Sequence, residues 1–230
     1  MRLRVATYNI HRCIGRDGVE DCRRIGAVLG EMAADIVALQ EVASLSDRRG
    51  DMLAYLAGIT GTTAIEGFTL TTENSRYGNA LLSGVPIASV KRIDISVEGR
   101  EPRGVIEVVV DRYSPTVHLW TTHLGLRVRE RHSQINTLLK IIAAAEAETS
   151  ILFGDFNEWL PWGRTLRALH RWFAPTQSPA TFPSRLPLLK LDRIWVRPSD
   201  NRSTIRAHAS ELSRVASDHL PLVADIVFPE

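Results

Sequence analysis

Polar side chains that can bind a metal or move a proton stand at the ends of the apolar runs in this sequence. They are carboxylates, amides and imidazoles, namely Asn9, Gln40, Glu41, His123, Asp155, Asn157, Asp192, Asp218 and His219. In α/β proteins the strand ends meet at one edge of the sheet, and binding sites form at that edge. We therefore expect these side chains to gather in one site.

Oxygen donors dominate this set, whereas the chain has only two cysteines. Carboxylate and amide oxygens suit Mg²⁺ or Mn²⁺, and magnesium sites typically combine one or two carboxylates with a substrate phosphate. The two histidines of the set, His123 and His219, would then act on the phosphate or on its leaving group. The set thus indicates metal-assisted chemistry on a phosphorylated compound.

The apolar pattern predicts the strands and helices that would hold these residues. Helical periodicity predicts helices over 21–33, 51–57, 128–147 and 162–170. Short apolar runs, several of them rich in Val, Ile and Thr, predict strands over 3–8, 35–39, 79–83, 85–97, 104–111, 116–122, 151–154, 191–196 and 220–228. Prolines at four positions within 173–190 exclude a regular element there.

The 230 residues contain no repeat, low-complexity tract or linker-like stretch that would divide them. We therefore predict one domain over residues 1–230. Because helices bracket two groups of strands, the pattern predicts two packed sheets with helices outside them.

Composition and charge exclude several classes of protein. A hydrophobic fraction of 44% and a charged fraction of 23% are typical of a globular protein with a sizeable core. The chain has 28 basic and 26 acidic residues, so no net field requires nucleic acid or an anionic membrane as partner. No apolar run has the roughly 20 residues of a membrane span, and the N-terminus has no signal segment, so we expect no membrane insertion. Cys13 and Cys22 are too few for a disulfide framework, so we expect free thiols and a cytoplasmic location.

Short motifs in a fixed order carry a resemblance to a known superfamily. They are Tyr8-Asn9-Ile10, Gln40-Glu41, Gly78-Asn79-Ala80-Leu81-Leu82-Ser83, Thr122-His123-Leu124, Gly154-Asp155-Phe156-Asn157, Leu191-Asp192-Arg193-Ile194 and Ser217-Asp218-His219-Leu220-Pro221. From residue 8 to residue 221 the chain resembles the endonuclease/exonuclease/phosphatase superfamily, which includes DNase I-like and exonuclease III-like nucleases. The resemblance implies an α/β fold, a four-layer α/β/β/α sandwich of two mixed sheets flanked by helices, and metal-dependent cleavage of a phosphoester.

The resemblance also implies roles for the residues of these motifs. Asn9 and Glu41 resemble the metal ligands of the family, with Mg²⁺ or Mn²⁺ as the expected ion. Asp218 resembles either a second metal ligand or a carboxylate that orients water. Asp155 and Asn157 resemble the pair that positions the attacking water and the phosphate.

The two histidines receive different roles from the same resemblance. His219 resembles the family's carboxylate-paired histidine, with Asp192 as its partner. The carboxylate would fix the tautomer of the imidazole and stabilise its charged form. His123 would donate to a non-bridging phosphate oxygen or to the leaving group, and Asn79 would orient one of the histidines.

Four arginines are candidates for binding the substrate. Arg127, Arg129 and Arg131 begin a predicted helix, where the helix dipole favours acidic residues. They could therefore face a phosphorylated substrate, or they could form a solvated helix face. Arg103 has the same two interpretations.

The expected reaction is in-line attack of water on phosphorus, as in a phosphodiesterase or nuclease. The alternatives are a phosphomonoesterase, a phospholipid head-group phosphodiesterase, and a non-catalytic binding protein on the same scaffold. The expected partner is a phosphorylated substrate, nucleic acid included, and the sequence leaves the oligomeric state open.

Overall fold

Two β-sheets packed face to face form the centre of the computed structural model, which describes residues 2–45, 51–73, 75–113, 116–198 and 202–228. Within these residues the first sheet has six strands, namely β1 (Arg2–Asn9), β2 (Ile36–Leu45), β3 (Thr63–Thr71), β4 (Ser75–Ser83), β10 (Arg202–Ala207) and β11 (Leu222–Val227). The second sheet has five, namely β5 (Ser89–Asp94), β6 (Gly104–Val110), β7 (Val117–His123), β8 (Thr149–Asp155) and β9 (Asp192–Arg197). The strand order is β10-β11-β1-β2-β4-β3 in the first sheet and β5-β6-β7-β8-β9 in the second.

Helices cover the outer faces of the two sheets. They are α1 (Cys22–Met32), α2 (Met52–Thr60), α3 (Val128–Ala144), α4 (Arg164–Leu169) and the single turn α5 (Ser213–Ala216). Apolar side chains of α1 and α2 pack on the first sheet, and those of α3 and α4 pack on the second. These layers form the α/β/β/α sandwich and confirm the predicted fold class.

Local sequence explains why α1 forms where it does. The Asp21 carboxylate caps its first turn by accepting a backbone N–H bond, which satisfies one of the unpaired donors at a helix start. Its buried apolar side chains recur at helical spacing and are Ile25, Val28, Leu29 and Met32. The helix thus presents one apolar face to the sheet.

The core between the sheets uses alternate residues of the central strands. Leu3 and Val5 of β1 belong to it together with Leu119 of β7 and Ile151 of β8, and none of the four has exposed surface. Tyr8 of β1 belongs instead to the core between the first sheet and its helices. Because both faces of these strands are buried, their sequences are nearly continuous apolar runs.

Each sheet contains one parallel pair of strands at its centre. β1 runs parallel to β2, with Asn9 beside Gln40, and β7 runs parallel to β8, with His123 beside Asp155. β9 begins at Asp192, which is the cross-strand partner of Asp155. The strand register therefore places these polar residues at the carboxyl ends of the two parallel pairs.

Two strands and a short helix were not predicted from the sequence. β3 and β10 are the edge strands of the first sheet, and most of their side chains are exposed or half-buried. They therefore lack the apolar pattern that marks a central strand. The four-residue α5 is too short to show a helical period.

The other observed elements differ less from the predicted ones. The strand predicted over 85–97 is the shorter β5, and residues 173–190 contain only one isolated bridge, between Phe182 and Leu189. Within the described ranges, no helix combines the length and apolar character needed to cross a membrane.

Candidate active site

The carboxyl ends of the two parallel pairs carry a group of polar side chains, which we call the polar cluster. Its members are Asn9, Glu41, His123, Asp155, Asn157, Asp192, Asp218 and His219. Side-chain contacts shorter than 4 Å connect seven of them directly, and Asp218 joins through Ser217. The structure thus brings residues from β1, β2, β7, β8, β9 and the segment before β11 into one site.

Asp155 is the centre of the polar cluster. It is 1% exposed, and its Oδ2 accepts a hydrogen bond from Asn9 Nδ2 at 3.1 Å. The same oxygen lies 3.6 Å from His123 Nε2 and 3.9 Å from His219 Nε2. Its Oδ1 accepts the backbone N–H of Asn157 at 2.9 Å. Both carboxylate oxygens are therefore held in place.

The residues around Asp155 have backbone conformations that suit their types. Gly154 has a φ of 150°, and a Cβ at this position would collide with the backbone carbonyl of Thr122 on β7. Asn157 has a φ of 50°, in the left-handed region that asparagine tolerates better than most residues. This local geometry turns the chain sharply after β8 and directs the Asn157 side chain back to the cluster.

His219 lies between two carboxylates. Its Nδ1 is 2.9 Å from Asp192 Oδ2, which also accepts a hydrogen bond from the Thr181 hydroxyl. Burial alone would lower the pKa of His219, but the charge and hydrogen bond of Asp192 and the charges of Asp155 and Asp218 raise it to about 10. The imidazole is therefore a cation at neutral pH.

His123 has the opposite charge state. Burial lowers its pKa to about 4. The charge of Asp155 opposes this shift, whereas the nearby cations Arg103 and His219 add to it. The polar cluster thus holds one cationic and one neutral imidazole on the same carboxylate.

Asn157 sets the tautomer of His123. The amide nitrogen of Asn157 donates to the backbone carbonyl of Leu124 at 2.8 Å and lies 3.0 Å from His123 Nε2. An amide nitrogen cannot accept, so Nε2 is the acceptor and the neutral ring carries its proton on Nδ1. This does not match the predicted role of His123 as a donor, because donation from Nε2 would need the imidazolium that burial disfavours.

Asn9 lies between two carboxylates of the polar cluster. Its Nδ2 donates to Glu41 Oε1 at 3.0 Å as well as to Asp155, and its Oδ1 accepts the backbone N–H of His11 at 3.1 Å. Glu41 has a φ of 56° and lies within the irregular register where β2 meets β4. A neutral amide cannot balance two negative charges, so the Glu41 side of the cluster suits a cation.

Asp218 lies at the edge of the same group. Its side chain is 37% exposed, and its Oδ1 is 3.9 Å from Nδ1 of His11. The preceding Ser217 hydroxyl donates to the backbone carbonyl of Asn9 at 2.7 Å, which fixes this segment against β1. Together Asn9, Glu41 and Asp218 offer oxygen donors only, the set that Mg²⁺ or Mn²⁺ prefers.

A second set of donors in the cluster could also hold an ion. One ligand atom from each of Asp155, Asp192 and His219 lies within 4.8 Å of the others. However, His219 Nδ1 and Asp192 Oδ2 are already bonded to each other, and an ion there would face a cationic imidazole. The oxygen set therefore fits a hard divalent cation better.

The structure separates the candidate substrate-binding residues. Arg127 and Arg129 are exposed at the start of α3. Arg103 is 7% exposed and its Nη1 is 2.7 Å from Glu101 Oε1, although its charge reaches His123. Of this group, only the two exposed arginines have the free access that a substrate contact needs.

Two predictions for this group need correction. Arg131 is 1% exposed, its Nη1 donates to the Leu126 carbonyl at 2.6 Å and its Nη2 is 3.5 Å from Glu158 Oε1. It ties the start of α3 to the segment after Asn157 and does not face a substrate. Asn79 donates weakly to the carbonyl of Gly104, at 3.5 Å, rather than to a histidine.

Sequence reasoning missed two contacts of the polar cluster. Thr181 bonds Asp192, and its place in the proline-rich segment gave no signal of this role. His11 matches none of the sequence motifs, yet its backbone bonds Asn9 and its ring approaches Asp218. Its position two residues after Asn9 was the available signal.

Comparison with known proteins identifies the class. A sequence model of the Endonuclease/Exonuclease/phosphatase family matches residues 6–219, and the chain belongs to this family. It is 32% identical over 213 residues to the uncharacterized protein YbhP of Escherichia coli K12, a match that covers 85% of this chain and 84% of YbhP.

Solved structures include proteins with a similar fold. An endonuclease/exonuclease/phosphatase from Beutenbergia cavernae DSM 12333 superposes with a TM-score of 0.77 at 26% identity, over 98% of this chain and 71% of that one. The fold is also that of D. rerio TDP2, solved as a complex with single strand DNA product, with a TM-score of 0.72, 17% identity and 99% coverage of both chains.

Proposed function

We propose that this protein hydrolyses a phosphodiester by in-line attack of water on phosphorus. Membership of the family supports phosphoester hydrolysis in general terms. The observation that carries the proposal is the buried Asp155 carboxylate, whose Oδ2 lies within 4 Å of the Asn9 amide and of both imidazoles. A buried carboxylate held in this way can align a water and accept its proton.

The side chains around Asp155 would have separate roles in the proposed reaction. His219, charged and fixed by Asp192, would donate from Nε2 to a non-bridging phosphate oxygen and stabilise the charge that develops there. Asn157 would hold Asp155 through its backbone N–H and His123 through its amide. Because His123 is neutral, His219 would be the one cationic imidazole beside Asp155.

Asn9, Glu41 and Asp218 would hold the metal ion. Their donors are oxygens, and the Asn9 amide that now separates Glu41 from Asp155 marks a place where negative charge lacks a full counter-charge. When bound, Mg²⁺ or Mn²⁺ would neutralise charge on the phosphate and on the leaving oxygen.

We propose that the substrate is a phosphorylated compound. Within this proposal we favour a phosphodiester over a phosphomonoester. The exposed Arg127 and Arg129 at the start of α3 would meet the further phosphates of a polynucleotide, whereas a substrate with one phosphate would not reach them. Nucleic acid stays among the candidates because D. rerio TDP2, a protein of the same fold, was solved with single strand DNA product. A cytoplasmic location stays a prediction, based on the free thiols of Cys13 and Cys22.

Hydrolysis of bis(p-nitrophenyl) phosphate tests the proposal. With Mg²⁺ we expect turnover that vanishes in excess EDTA and returns with added Mg²⁺ or Mn²⁺. Asp155→Asn should lower kcat by about 10²–10⁴-fold, the usual contribution of a general base. The matched control is Asp111→Asn, since Asp111 is exposed and outside the cluster. Turnover that persists in chelator, or equal loss in both variants, would overturn the mechanism.

A further inference from the structure

A cavity of about 730 Å³ lies beside the polar cluster, and we call it the apolar groove. It is bounded by the turn after β1, the start of α2 and the β3–β4 hairpin. The apolar side chains on its walls include Ile14, Ala43, Met52, Tyr55 and Leu70. Its volume is within the range of small-molecule binding sites.

Two large apolar side chains on the walls of the groove are partly exposed to solvent. Tyr55 on α2 is 42% exposed, and Leu70 on the edge strand β3 is 38% exposed. Large apolar side chains gathered around a concave space indicate a binding site more often than chance exposure does. The groove is therefore suited to an apolar group.

Two residues on the groove walls are close in the chain or across the sheet to residues of the polar cluster. Arg12 follows His11, whose backbone bonds Asn9, and the Arg12 guanidinium lies 4.8 Å from the centre of the Tyr77 ring. Both Arg12 and Tyr77 line the groove, and Tyr77 is the cross-strand partner of Ala43, two residues after Glu41. A ligand with its phosphate at the cluster would place an attached group at this entrance.

The turn that carries Arg12 is held in an uncommon conformation. His11, Arg12 and Cys13 have φ values of 44°, 55° and 60°, all in the left-handed region. Two backbone bonds fix the turn, from Cys13 N to the Ile10 carbonyl and from Ile14 N to the His11 carbonyl, each 2.8 Å long. Strain retained next to a candidate site points to a functional position for Arg12.

The charges around the groove argue against a polyanion inside it. Arg76, which also lines the groove, is paired with Asp51 at 2.9 Å and with Glu66 at 2.8 Å. Glu20 and Glu101 also line the groove, and Arg23 is paired with Asp21, so further phosphates of a nucleic acid would meet carboxylates, paired arginines and apolar surface, which is costly. One phosphate with an apolar substituent fits better.

We infer that the apolar groove binds the alkyl or acyl substituent of an amphiphilic phosphodiester whose phosphate lies at the polar cluster. This inference rests on the proposed function, because it places the reacting phosphate at that cluster. The shared chemistry is one phosphodiester with an attached hydrocarbon chain, whether free in solution or part of a lipid.

Binding of two unreactive diesters of equal charge tests the inference without turnover. Titration calorimetry in Mg²⁺ would compare dihexyl phosphate, kept below its self-association concentration, with dimethyl phosphate. Each buried methylene contributes about a fourfold gain in affinity, so we expect dihexyl phosphate to bind at least about tenfold more tightly. Equal affinities would overturn the inference.

Variants of the groove test whether it is the source of the higher affinity for dihexyl phosphate. Leu70→Asp should remove the advantage of dihexyl phosphate and leave the affinity for dimethyl phosphate unchanged, and Tyr55→Asp on α2 should do the same if Leu70→Asp does not fold. The control is Leu188→Asp, since Leu188 is 69% exposed and does not line the groove. An advantage that survives both groove variants would exclude the groove as its source.

Phosphatidylcholine vesicles separate the two sources of such a ligand. Sedimentation of the protein with vesicles, lost in Leu70→Asp, would assign the groove to a lipid, and no sedimentation with retained dihexyl phosphate binding would assign it to a free amphiphile. Failure of the proposed function has a different signature, because bis(p-nitrophenyl) phosphate would then not be hydrolysed even if dihexyl phosphate binds.

Discussion

The polar cluster and the apolar groove are neighbours built in opposite ways. Asp155, Asp192 and His219 are at most 5% exposed, and hydrogen bonds hold each of them, whereas the groove leaves Tyr55 and Leu70 partly open to solvent. A change in a buried polar network leaves a partner unpaired, while an apolar wall contributes in proportion to area and tolerates change. We therefore expect different substitutions to affect the proposed reaction and the choice of substrate.

Among the substitutions that compare the two regions, Asp192→Asn should have the largest effect on the polar cluster alone. The amide keeps the shape but loses the charge that supports the His219 cation, so kcat on bis(p-nitrophenyl) phosphate should fall by about 10–100-fold. The ratio of the dihexyl to the dimethyl phosphate dissociation constant should not change. A changed ratio with normal turnover would show that the two regions are not independent.

A change remote from both regions should alter stability alone. Asp225 on β11 is 18% exposed and accepts hydrogen bonds from Arg2, Arg4 and Arg206. Partial burial would raise its pKa, but these bonds hold it well below the usual range. Asp225→Asn should therefore lower the free energy of unfolding by about 1 kcal/mol at neutral pH, a value that allows for solvent screening.

The pH dependence of that difference follows from the sign of the shift. A lowered folded-state pKa stabilises the fold above the unfolded value of about 4, and the contribution is lost as the pH falls from there towards the folded value. Urea unfolding of both proteins should show a gap at pH 7 that narrows below about pH 4. A gap that widens in acid would contradict the assignment, and kcat serves as the control that should not move.

The smallest expected effect is that of salt on the affinity for dihexyl phosphate. One bound phosphate predicts that the dissociation constant of dihexyl phosphate changes by about threefold or less between roughly 50 and 200 mM salt. Replacing both Arg127 and Arg129 by Ala should leave this slope unchanged. Duplex DNA binding that weakens by orders of magnitude over the same range, and less steeply in the double variant, would instead assign the site to a polynucleotide.

The polar cluster could be predicted because its residues directly follow or precede buried strands. Asn9, Glu41 and Asp155 end apolar runs, and the register of parallel strands brings such ends together. The sequence could not show the charge states of the two histidines. These depend on burial and on which carboxylate lies nearest to each ring.

The sequence could not predict the apolar groove or the burial of Arg131. Leu70 belongs to an edge strand without a clear apolar pattern, and nothing in a sequence tells whether an apolar residue is packed or left open in a cavity. Its position at the start of a helix predicts that Arg131 faces a substrate or forms part of a solvated helix face. Its burial depends on Glu158, a partner 27 positions away that only the folded chain brings near.

The polar cluster is built from residues of both sheets. Asn9 and Glu41 belong to the first sheet, while Asp155 and Asp192 belong to the second, so neither sheet alone carries the complete cluster. The bond between Ser217 and Asn9 joins positions 208 residues apart, and contacts of such separation make folding slow. A half-folded chain therefore lacks the complete polar cluster, and under the proposed function the first hydrolysis by a refolding molecule would signal that its two sheets have closed on each other.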